Sequence, residues 1–458
     1  MVGDANYNPQ DLIAALATPW GTSALAVIRT SGEGSIDRVA ELFSRPKALR
    51  NAARGSLLHG TLAKPGKQGE VLDEVILAVF RSPKSYTAED SVEIFCHGSL
   101  PGISAILGAL REVGFRDAQP GEFTLRAFLG GKIDLTRAEA VREIVESKSL
   151  KAHEMALGRL SGSIYRRIDE AKHTLESLMA AIEVLLDYPE DEVPEDTAID
   201  LEVLRHAEKE LIELRDSYQT GHLYQKGIRI AIAGGTNAGK SSLFNLFLKE
   251  DRSIVSQFHG TTRDFIESWI SINGIPVTLI DTAGLRRGVN PVEAEGIKRT
   301  EEILDSVELI LYMVDATSGL GDADSSFLSS HGIEARCVRV WNKIDLTDNQ
   351  APKDFMPVCA ISGEGFSRLE REIVDRLAVS NGSGDLDLVA IYSDRQKELL
   401  DRALQYLGIV KDSVAGGVPF DAIALDLRLG LDALGEIIGE VTTADILDKI
   451  FADFCVGK

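Results

Sequence analysis

The sequence predicts a multidomain protein of mixed α/β and all-α class, with a parallel-sheet α/β domain inserted into a helical domain. A length of 458 residues suggests about three domains. The pattern changes after 120–123: from 137 to about 187 there is no proline and apolar residues recur at helical spacing, and helical periodicity returns from residue 393. Between about 226 and 377, strand and helix patterns alternate. We therefore assign 1–122 to an N-terminal α+β domain, 123–220 and 381–458 to one helical bundle built from two segments, and 221–380 to the inserted domain.

The N-terminal domain has short, mixed signals. Strands are predicted at 24–28, 75–80 and 92–96, and a helix at 100–113. The strands are separated by turn-rich pieces and do not alternate strictly with helices. This arrangement favours an α+β domain over a parallel α/β domain.

The helical segments flank the insertion. In the first segment, the helices are predicted to break near 158–162 and to end at the acidic turn 189–196. A further helix is predicted over 201–218. Two amphipathic segments on either side of an insertion each need an apolar partner. Each segment could supply the apolar face that the other needs, but periodicity alone does not decide whether they pack together.

Composition limits the classes of partner. The net charge of −22 and pI near 4.9 argue against a broad basic surface for nucleic acid. The four cysteines form no C-x-x-C pair and so predict neither a disulfide framework nor structural zinc. Residues 1–10 lack signal-peptide features and no apolar run approaches the roughly 18 residues of a membrane span. We expect a cytoplasmic protein with no membrane partner.

A glycine-rich loop at 234–241 carries the strongest signal. It matches G-x-x-x-x-G-K-[ST], follows the apolar run 228–233, and precedes helical periodicity at 242–248. In such a loop the backbone N–H groups and the helix N-terminus bind phosphate oxygens. Lys240 would pair with the β- and γ-phosphates, and the Ser241 hydroxyl would be a ligand of Mg²⁺. The predicted nucleotide-binding residues of this loop are Asn237, Ala238, Gly239, Lys240, Ser241 and Ser242.

Three later motifs indicate the base and the γ-phosphate. An apolar strand ends at Asp281, which we expect to hold Mg²⁺ through water, and the motif continues as Thr282, Ala283 and Gly284. Asn342, Lys343 and Asp345 form N-K-x-D, whose carboxylate can accept the two N–H groups of guanine. The last guanine motif reads Cys359, Ala360 and Ile361, with cysteine in place of serine, and we expect the Ala360 backbone to contact the base. Together the motifs predict GTP.

The first switch loop is expected around residue 260, where Thr262 can reach Mg²⁺ once a γ-phosphate is present. Its predicted nucleotide contacts are Ser256, Gln257, Phe258, His259, Gly260, Thr261 and Thr262. Leu285 stands where Ras-type enzymes carry the glutamine that orients water. Arg286 and Arg287 lie nearby. We favour the interpretation that they are solvent-exposed charges of the switch region over a catalytic role.

The motifs resemble the potassium-activated GTPases related to translation factors, and the rest of the chain resembles one group, the MnmE (TrmE) family of tRNA modification GTPases. The resemblance covers essentially the whole chain. Its further signatures lie at 18–21, 27–32, 85–90, 120–124, 127–129, 132–135 and 454–458.

For the nucleotide site, the resemblance implies that Asn237 coordinates K⁺. The other potassium ligands would be Thr261 and the backbone carbonyls of Ser256 and Phe258. Glu293 would orient the attacking water, with Glu295 as a competing candidate; both also suit solvated carboxylates at a helix start. Lys240 and Glu293 are thus the expected catalytic residues of hydrolysis.

For the remainder, the resemblance implies a 5-formyl- or 5,10-methylene-tetrahydrofolate site at Arg29, Glu93, Lys132 and Lys458. It implies a homodimer through the N-terminal domain. It also implies joint action with the FAD-dependent partner MnmG, adding aminomethyl or carboxymethylaminomethyl groups to C5 of the wobble uridine of certain tRNAs. Three interpretations of Cys455 are open. We rank a residue of the active centre first, a buried structural thiol second and a lipidation site last.

Two rival functions are open. A regulatory or ribosome-assembly GTPase would normally carry a basic RNA-binding module, yet 385–458 is acidic and has no G-x-x-G clamp. A folate-dependent aminomethyltransferase without a switch leaves the GTP motifs unexplained.

Overall fold

A computed structural model describes residues 8, 10–66, 69–187, 200–250, 267–281, 303–329, 333–377 and 389–458. The chain divides into two compact units. The first comprises 1–146, 157–213 and 398–458, and the second comprises 147–156 and 214–397. The four domain boundaries inferred from the sequence stay predictions.

In the described part of the first unit, six strands form one sheet. They are β1 (Ile13–Leu16), β2 (Ser23–Ser31), β3 (Leu57–Ala63), β4 (Val71–Phe80), β5 (Ser91–Gly98) and β6 (Arg116–Asp117). Their order in space is β3-β4-β5-β2-β1-β6, with β1 and β6 parallel and the other neighbours antiparallel. The predicted α+β class of the N-terminal part is confirmed.

One face of this sheet carries the apolar core. Ile28, Leu77 and Ile94 are fully buried and pack with Ile103 and Ile106 of α3 (Leu100–Glu112). Burying each such side chain stabilises the fold by about 1.5–3 kcal/mol. The short helices α1 (Ser35–Leu42) and α2 (Pro46–Arg50) complete the layer, and α1 packs on α3 and β5.

The opposite face of the sheet is less covered. Successive side chains of a strand point to opposite faces, so Val27 and Arg29 of β2 alternate with the buried Ala26 and Ile28. On β5, Glu93 pairs in register with Arg29. The predicted folate residues Arg29 and Glu93 therefore lie side by side on the accessible face.

The helices that follow belong wholly or partly to the first unit. They are α4 (Glu122–Leu129), α5 (Leu135–Glu146), α6 (Leu150–Leu160), α7 (Ser163–Asp187), α8 (Leu201–Asp216), α13 (Asp394–Ala415), α14 (Phe420–Ile438) and α15 (Ala444–Ala452). Helices α6, α8 and α13 include residues of both units. The predicted break is confirmed, because α6 ends at Leu160 and α7 begins at Ser163.

The two helical segments pack on each other, so that each apolar face has a partner. Helix α14 contacts α7 and α5, and α15 contacts α4. Lys411 of α13 forms an ion pair with Glu208 of α8 at 2.9 Å, and Arg428 of α14 forms one with Glu183 of α7 at 3.3 Å. The bundle built from two distant segments is thus confirmed.

The second unit contains the inserted sheet. Its described strands are β7 (Ile228–Gly234), β8 (Glu267–Ile272), β9 (Ile275–Asp281), β10 (Leu309–Asp315), β11 (Cys337–Asn342) and β12 (Phe355–Val358), with helices α9 (Tyr218–Lys226), α10 (Lys240–Glu250), α11 (Asp322–Leu328) and α12 (Phe366–Leu377). The order is β12-β11-β10-β7-β9-β8, and every neighbouring pair is parallel except β8 with β9.

Strand β7 is buried on both faces. Ile230 and Ile232 belong to one apolar cluster, whereas Ala231 and Ala233 belong to another. Burial on both faces explains why the strand has a continuous apolar sequence rather than an alternating one. The predicted doubly covered parallel sheet is confirmed.

A buried ion pair in the first unit yields a stability prediction. Arg159 Nε donates to Glu143 Oε2 at 2.5 Å, and both side chains are almost fully buried. Arg159→Met should lower the free energy of unfolding by about 3–5 kcal/mol, because the buried Glu143 carboxylate loses the guanidinium group that it contacts. Denaturant unfolding of the purified protein measures the change.

The double variant Glu143→Leu/Arg159→Met is the control. Replacing both charges by apolar groups should restore most of the lost stability. A single variant as stable as the wild type would contradict the role given to this pair.

Candidate functional site

The glycine loop lies at the carboxyl edge of the inserted sheet. Because β7, β9, β10 and β11 are parallel neighbours, their last residues share that edge. These are Gly234, Asp281, Asp315 and Asn342. Ligands bind at this edge in open α/β sheets, so the fold brings the separate motifs together.

Two glycines of the loop are required by close contacts. Gly234 has φ +138°, and a Cβ there would lie 2.2 Å from the Met313 carbonyl oxygen. Gly239 has φ +97°, and its Cβ would lie 2.1 Å from Asn342 Nδ2. Only glycine combines this backbone conformation with such an approach.

Lys240 and Ser241 begin α10, where free N–H groups and the helix dipole favour an anion. Lys240 Nζ donates to the carbonyls of Gly234 and Gly235 at 3.0 and 2.6 Å. The ammonium group is therefore held over the loop in which phosphate oxygens would lie.

Two predicted magnesium residues meet in the structure. Ser241 Oγ donates to Asp281 Oδ2 at 3.3 Å. A hydroxyl and a carboxylate are hard oxygen donors of the kind Mg²⁺ prefers. They fit the ion with Ser241 as a ligand and Asp281 acting through water.

Asn342 joins three of the nucleotide motifs. Its Nδ2 donates to the Ala238 carbonyl at 2.7 Å, and its Oδ1 accepts from Ala360 N at 3.0 Å. The Asn342 side chain is buried. The backbone of Ala360 is expected to contact guanine, and in this structure its N–H group donates to Asn342.

The remaining base residues lie in two tight turns. Asp345 is exposed in the turn Ile344–Leu346 and makes no side-chain hydrogen bond with another described residue. Cys359 is buried and its Sγ accepts from Ser362 N at 3.5 Å, whereas Ile361 is 81% exposed. The cysteine therefore takes part in closing the turn of the last motif.

Asn237 has a left-handed backbone with φ +61° and is exposed. Asparagine tolerates this region better than most residues. The other residues named above in the two switch regions lie outside the described residues. They are Ser256, Gln257, Phe258, His259, Gly260, Thr261, Thr262, Thr282, Ala283, Gly284, Leu285, Arg286, Arg287, Glu293 and Glu295.

A second site lies in the first unit, around Arg29. Its Nε donates to Glu93 Oε1 at 2.9 Å, and its Nη1 donates to the Gly457 carbonyl at 3.0 Å, across 428 positions of sequence. Gly457 has φ +93°, and a Cβ there would lie 2.6 Å from the Leu16 carbonyl oxygen. The C-terminal tail is therefore held against the N-terminal sheet.

Aromatic rings complete the surroundings of Arg29. The guanidinium carbon lies 5.6 Å from the Tyr86 ring centroid and 5.7 Å from that of Phe123. Tyr86 Oη and Thr124 Oγ1 are 2.9 Å apart. Although the Tyr86 side chain is 37% exposed, desolvation around its phenol raises the pKa of that group. The hydroxyl is a neutral hydrogen-bonding group.

The other two predicted folate residues occupy separate positions. Lys132 Nζ donates to the Pro83 carbonyl at 3.3 Å. Burial, with the nearby Arg29 charge, lowers the pKa of Lys458. Cys455 is exposed and, with Lys458, lines a small open groove whose other walls include Arg142 and Glu146. The reading of Cys455 as a buried thiol is wrong.

Sequence reasoning did not single out Tyr86, Phe123 or Asp315. Tyr86 and Phe123 lie within the family-like segments 85–90 and 120–124. Asp315 ends an apolar strand, which is the signal that identified Asp281. Only the contacts with Arg29 and Lys343 distinguish these residues from ordinary core and strand-end residues.

The glycine loop at the edge of a parallel sheet, followed by the Asn342 bridge, defines a GTPase of the P-loop class. A model of the MnmE helical domain matches residues 135–455, and a model of the GTP-binding protein TrmE N-terminus matches 12–132. The chain belongs to the MnmE family of tRNA modification GTPases.

Full-length relatives agree with this assignment. A tRNA modification GTPase MnmE from Treponema denticola is 43% identical, with 99% of each chain covered. The protein of that name from Borrelia turicatae is 39% identical, again with 99% of each covered. The protein of that name from Carboxydothermus hydrogenoformans is 38% identical, and the match covers 98% of this chain and 100% of that protein.

Two features are absent from the residues that the structure describes. No helix there has the length and apolar composition needed to cross a membrane. No cluster of three or more histidine, cysteine, aspartate or glutamate side chains there could hold a metal ion. The magnesium fit consequently rests on the serine and the single carboxylate described above.

The contact at Gly239 predicts a binding defect. Gly239→Ala should weaken GDP affinity by about tenfold to a hundredfold, because strain of roughly 1–3 kcal/mol falls on the loop and on Asn342. Titration with a fluorescent GDP analogue measures the loss.

Gly235→Ala is the matched control, since a Cβ at Gly235 would meet nothing within 4 Å. It should bind GDP as the wild type does. Equal affinity of both variants would contradict the steric argument.

Proposed function

We propose that the protein hydrolyses GTP to support tRNA modification. With the FAD-dependent partner MnmG, it would add an aminomethyl or carboxymethylaminomethyl group to C5 of the wobble uridine, using a tetrahydrofolate one-carbon unit. The observation that carries the proposal is the Arg29 site, where Glu93 and the C-terminal tail meet. A GTPase acting as a simple switch does not need such a second polar site in the same chain.

The folate part of the proposal rests on chemical complementarity. A pterin presents a donor and acceptor edge like that of guanine, which a carboxylate such as Glu93 can bind. A guanidinium group such as that of Arg29 can bind a carboxylate bidentately, and Lys132 and Lys458 offer further positive charge for a glutamyl tail. Exposed Cys455 lies in the same groove as Lys458 and would act beside the one-carbon unit.

The hydrolytic part rests on the glycine loop. Lys240 would stabilise charge on the β- and γ-phosphates, with Mg²⁺ held by Ser241 and Thr262. K⁺ would be held by Asn237, Thr261 and the backbone carbonyls of Ser256 and Phe258, since carbonyl oxygens can replace the hydration shell of K⁺. The exposed, left-handed Asn237 in the loop supports this assignment. Glu293 would orient the attacking water.

The proposed homodimer uses the N-terminal sheet. Leu25, Leu57 and Ile76 are 62%, 68% and 44% exposed on β2, β3 and β4. Exposed apolar side chains gathered on one sheet mark an interaction surface. The proposal also places tRNA and MnmG as partners, with the acidic overall charge requiring that tRNA contacts be local.

Potassium dependence tests the cation assignment. The wild type should hydrolyse GTP faster in KCl than in NaCl, because a bound K⁺ stabilises charge that develops on the phosphates. Asn237→Ala should remove most of this difference, while the poorer fit of alanine to the left-handed backbone weakens GDP affinity by no more than about fivefold. Steady-state phosphate release in the two salts is the measurement, and equal wild-type rates would reject the assignment.

Mass analysis of wobble nucleosides tests the function as a whole. Cells lacking the gene should lose C5-modified wobble uridines, and the wild-type gene should restore them. Lys240→Ala and Arg29→Ala should each fail to restore them, the first through loss of GTP hydrolysis and the second with hydrolysis retained. Fully modified tRNA in the deletion strain would instead favour a regulatory or ribosome-assembly GTPase.

A further inference from the structure

We propose that Asp315 is a positioning residue for guanine-nucleotide binding, acting through Lys343 of the N-K-x-D motif. Asp315 Oδ2 lies 2.6 Å from Lys343 Nζ. The two side chains are only 17% and 27% exposed. The pair lies at the sheet edge that carries the glycine loop, and none of the nucleotide motifs includes Asp315.

The sheet places Asp315 beside the base motif. Asp315 ends β10 directly opposite Asn342 at the end of β11. The next residue, Ala316, donates its N–H to the Asn342 carbonyl at 2.8 Å. The carboxylate is therefore carried on backbone that is already paired with the motif.

Both carboxylate oxygens of Asp315 are engaged. While Oδ2 meets Lys343, Oδ1 accepts from Thr317 N at 2.9 Å and from Thr317 Oγ1 at 2.7 Å. The Asp315 carbonyl accepts from Ser318 N and Gly319 N at 3.1 and 3.0 Å. This turn holds the carboxylate in place without help from a nucleotide.

The charge of Asp315 is maintained at neutral pH. Partial burial opposes ionisation, but hydrogen bonds from Lys343 and Thr317 outweigh it and hold the pKa of Asp315 below its ordinary value. The contact with Lys343 is accordingly a charge-assisted hydrogen bond, which is stronger than a neutral one.

Lys343 needs such support because of its backbone. It has φ +66°, in the left-handed region that lysine rarely adopts. Its carbonyl accepts from Leu346 N at 3.1 Å, which closes the turn that presents Asp345. By fixing the Lys343 side chain, Asp315 stabilises the whole loop in the conformation that offers a carboxylate to guanine.

The phosphate end of the site does not depend on this pair. Lys240, Ser241 and Asp281 are held by contacts with the glycine loop and with each other. Loss of the Asp315 charge should therefore weaken nucleotide binding and leave the hydrolytic step unchanged. A KM effect without a kcat effect distinguishes positioning of the base loop from a general loss of structure.

Asp315→Asn in the full-length protein is the test variant, since it keeps the size and the acceptor oxygen for Thr317. GDP dissociation and the KM for GTP should each rise about five- to tenfold, with kcat unchanged. Stopped-flow displacement of a fluorescent GDP analogue and steady-state GTPase assays give these values. Thr317→Val, which removes only the hydroxyl bond to the carboxylate, should raise both by about twofold.

A double-mutant cycle with Lys343→Ala tests whether Asp315 acts through Lys343. The double variant should dissociate GDP no faster than Lys343→Ala alone. Additive effects of the two substitutions on GDP dissociation would overturn the proposal. It would also be overturned if Asp315→Asn kept the wild-type KM and dissociation rate, or if it lowered kcat alone. If Asp315→Asn does not fold, the Thr317→Val variant decides. A GDP dissociation rate equal to that of the wild type in Thr317→Val would then overturn the proposal.

Discussion

The two hydrogen bonds of Asn342 hold the nucleotide site together. This buried side chain links the glycine loop at Ala238 to the last guanine motif at Ala360. A buried amide must satisfy both its donor and its acceptor, so the loops it joins cannot move independently without a penalty. Gly239 exists in this arrangement because any side chain there would occupy the position of the Asn342 amide.

A comparable constraint operates at Arg29 in the first unit. The guanidinium group connects Glu93 on the sheet to the backbone of Gly457, while Tyr86 and Phe123 lie close to it. The tail reaches the sheet only because Gly457 can approach the Leu16 carbonyl. In both sites, one polar side chain forms hydrogen bonds with backbone groups that are distant in sequence. In both, a glycine allows two segments to approach more closely than a residue with a Cβ would permit.

Much of the fold could be predicted from local pattern. The apolar runs before the glycine loop and before Asp281 became β7 and β9, and the helical periodicity after residue 393 became three helices. Strand β1 was not predicted, because its four residues are all buried and show no alternation. The helix predicted over 201–218 ends at Asp216, where the Ser217 hydroxyl instead accepts from Ile391 N. A contact across so much sequence leaves no local signal.

By itself, the sequence determined the nucleotide class, since the order and spacing of Lys240, Asp281 and Asn342 encode a chemistry that depends on residue type. It also located two amphipathic helical segments on either side of the insertion, whereas their packing on each other became visible only in the structure. Only the tertiary structure decided which polar groups meet: Ser241 with Asp281, Lys343 with Asp315, and Arg29 with Gly457. The physical reason is that these pairs arise from strand order and chain crossings, which bring together residues with no periodic relation in sequence.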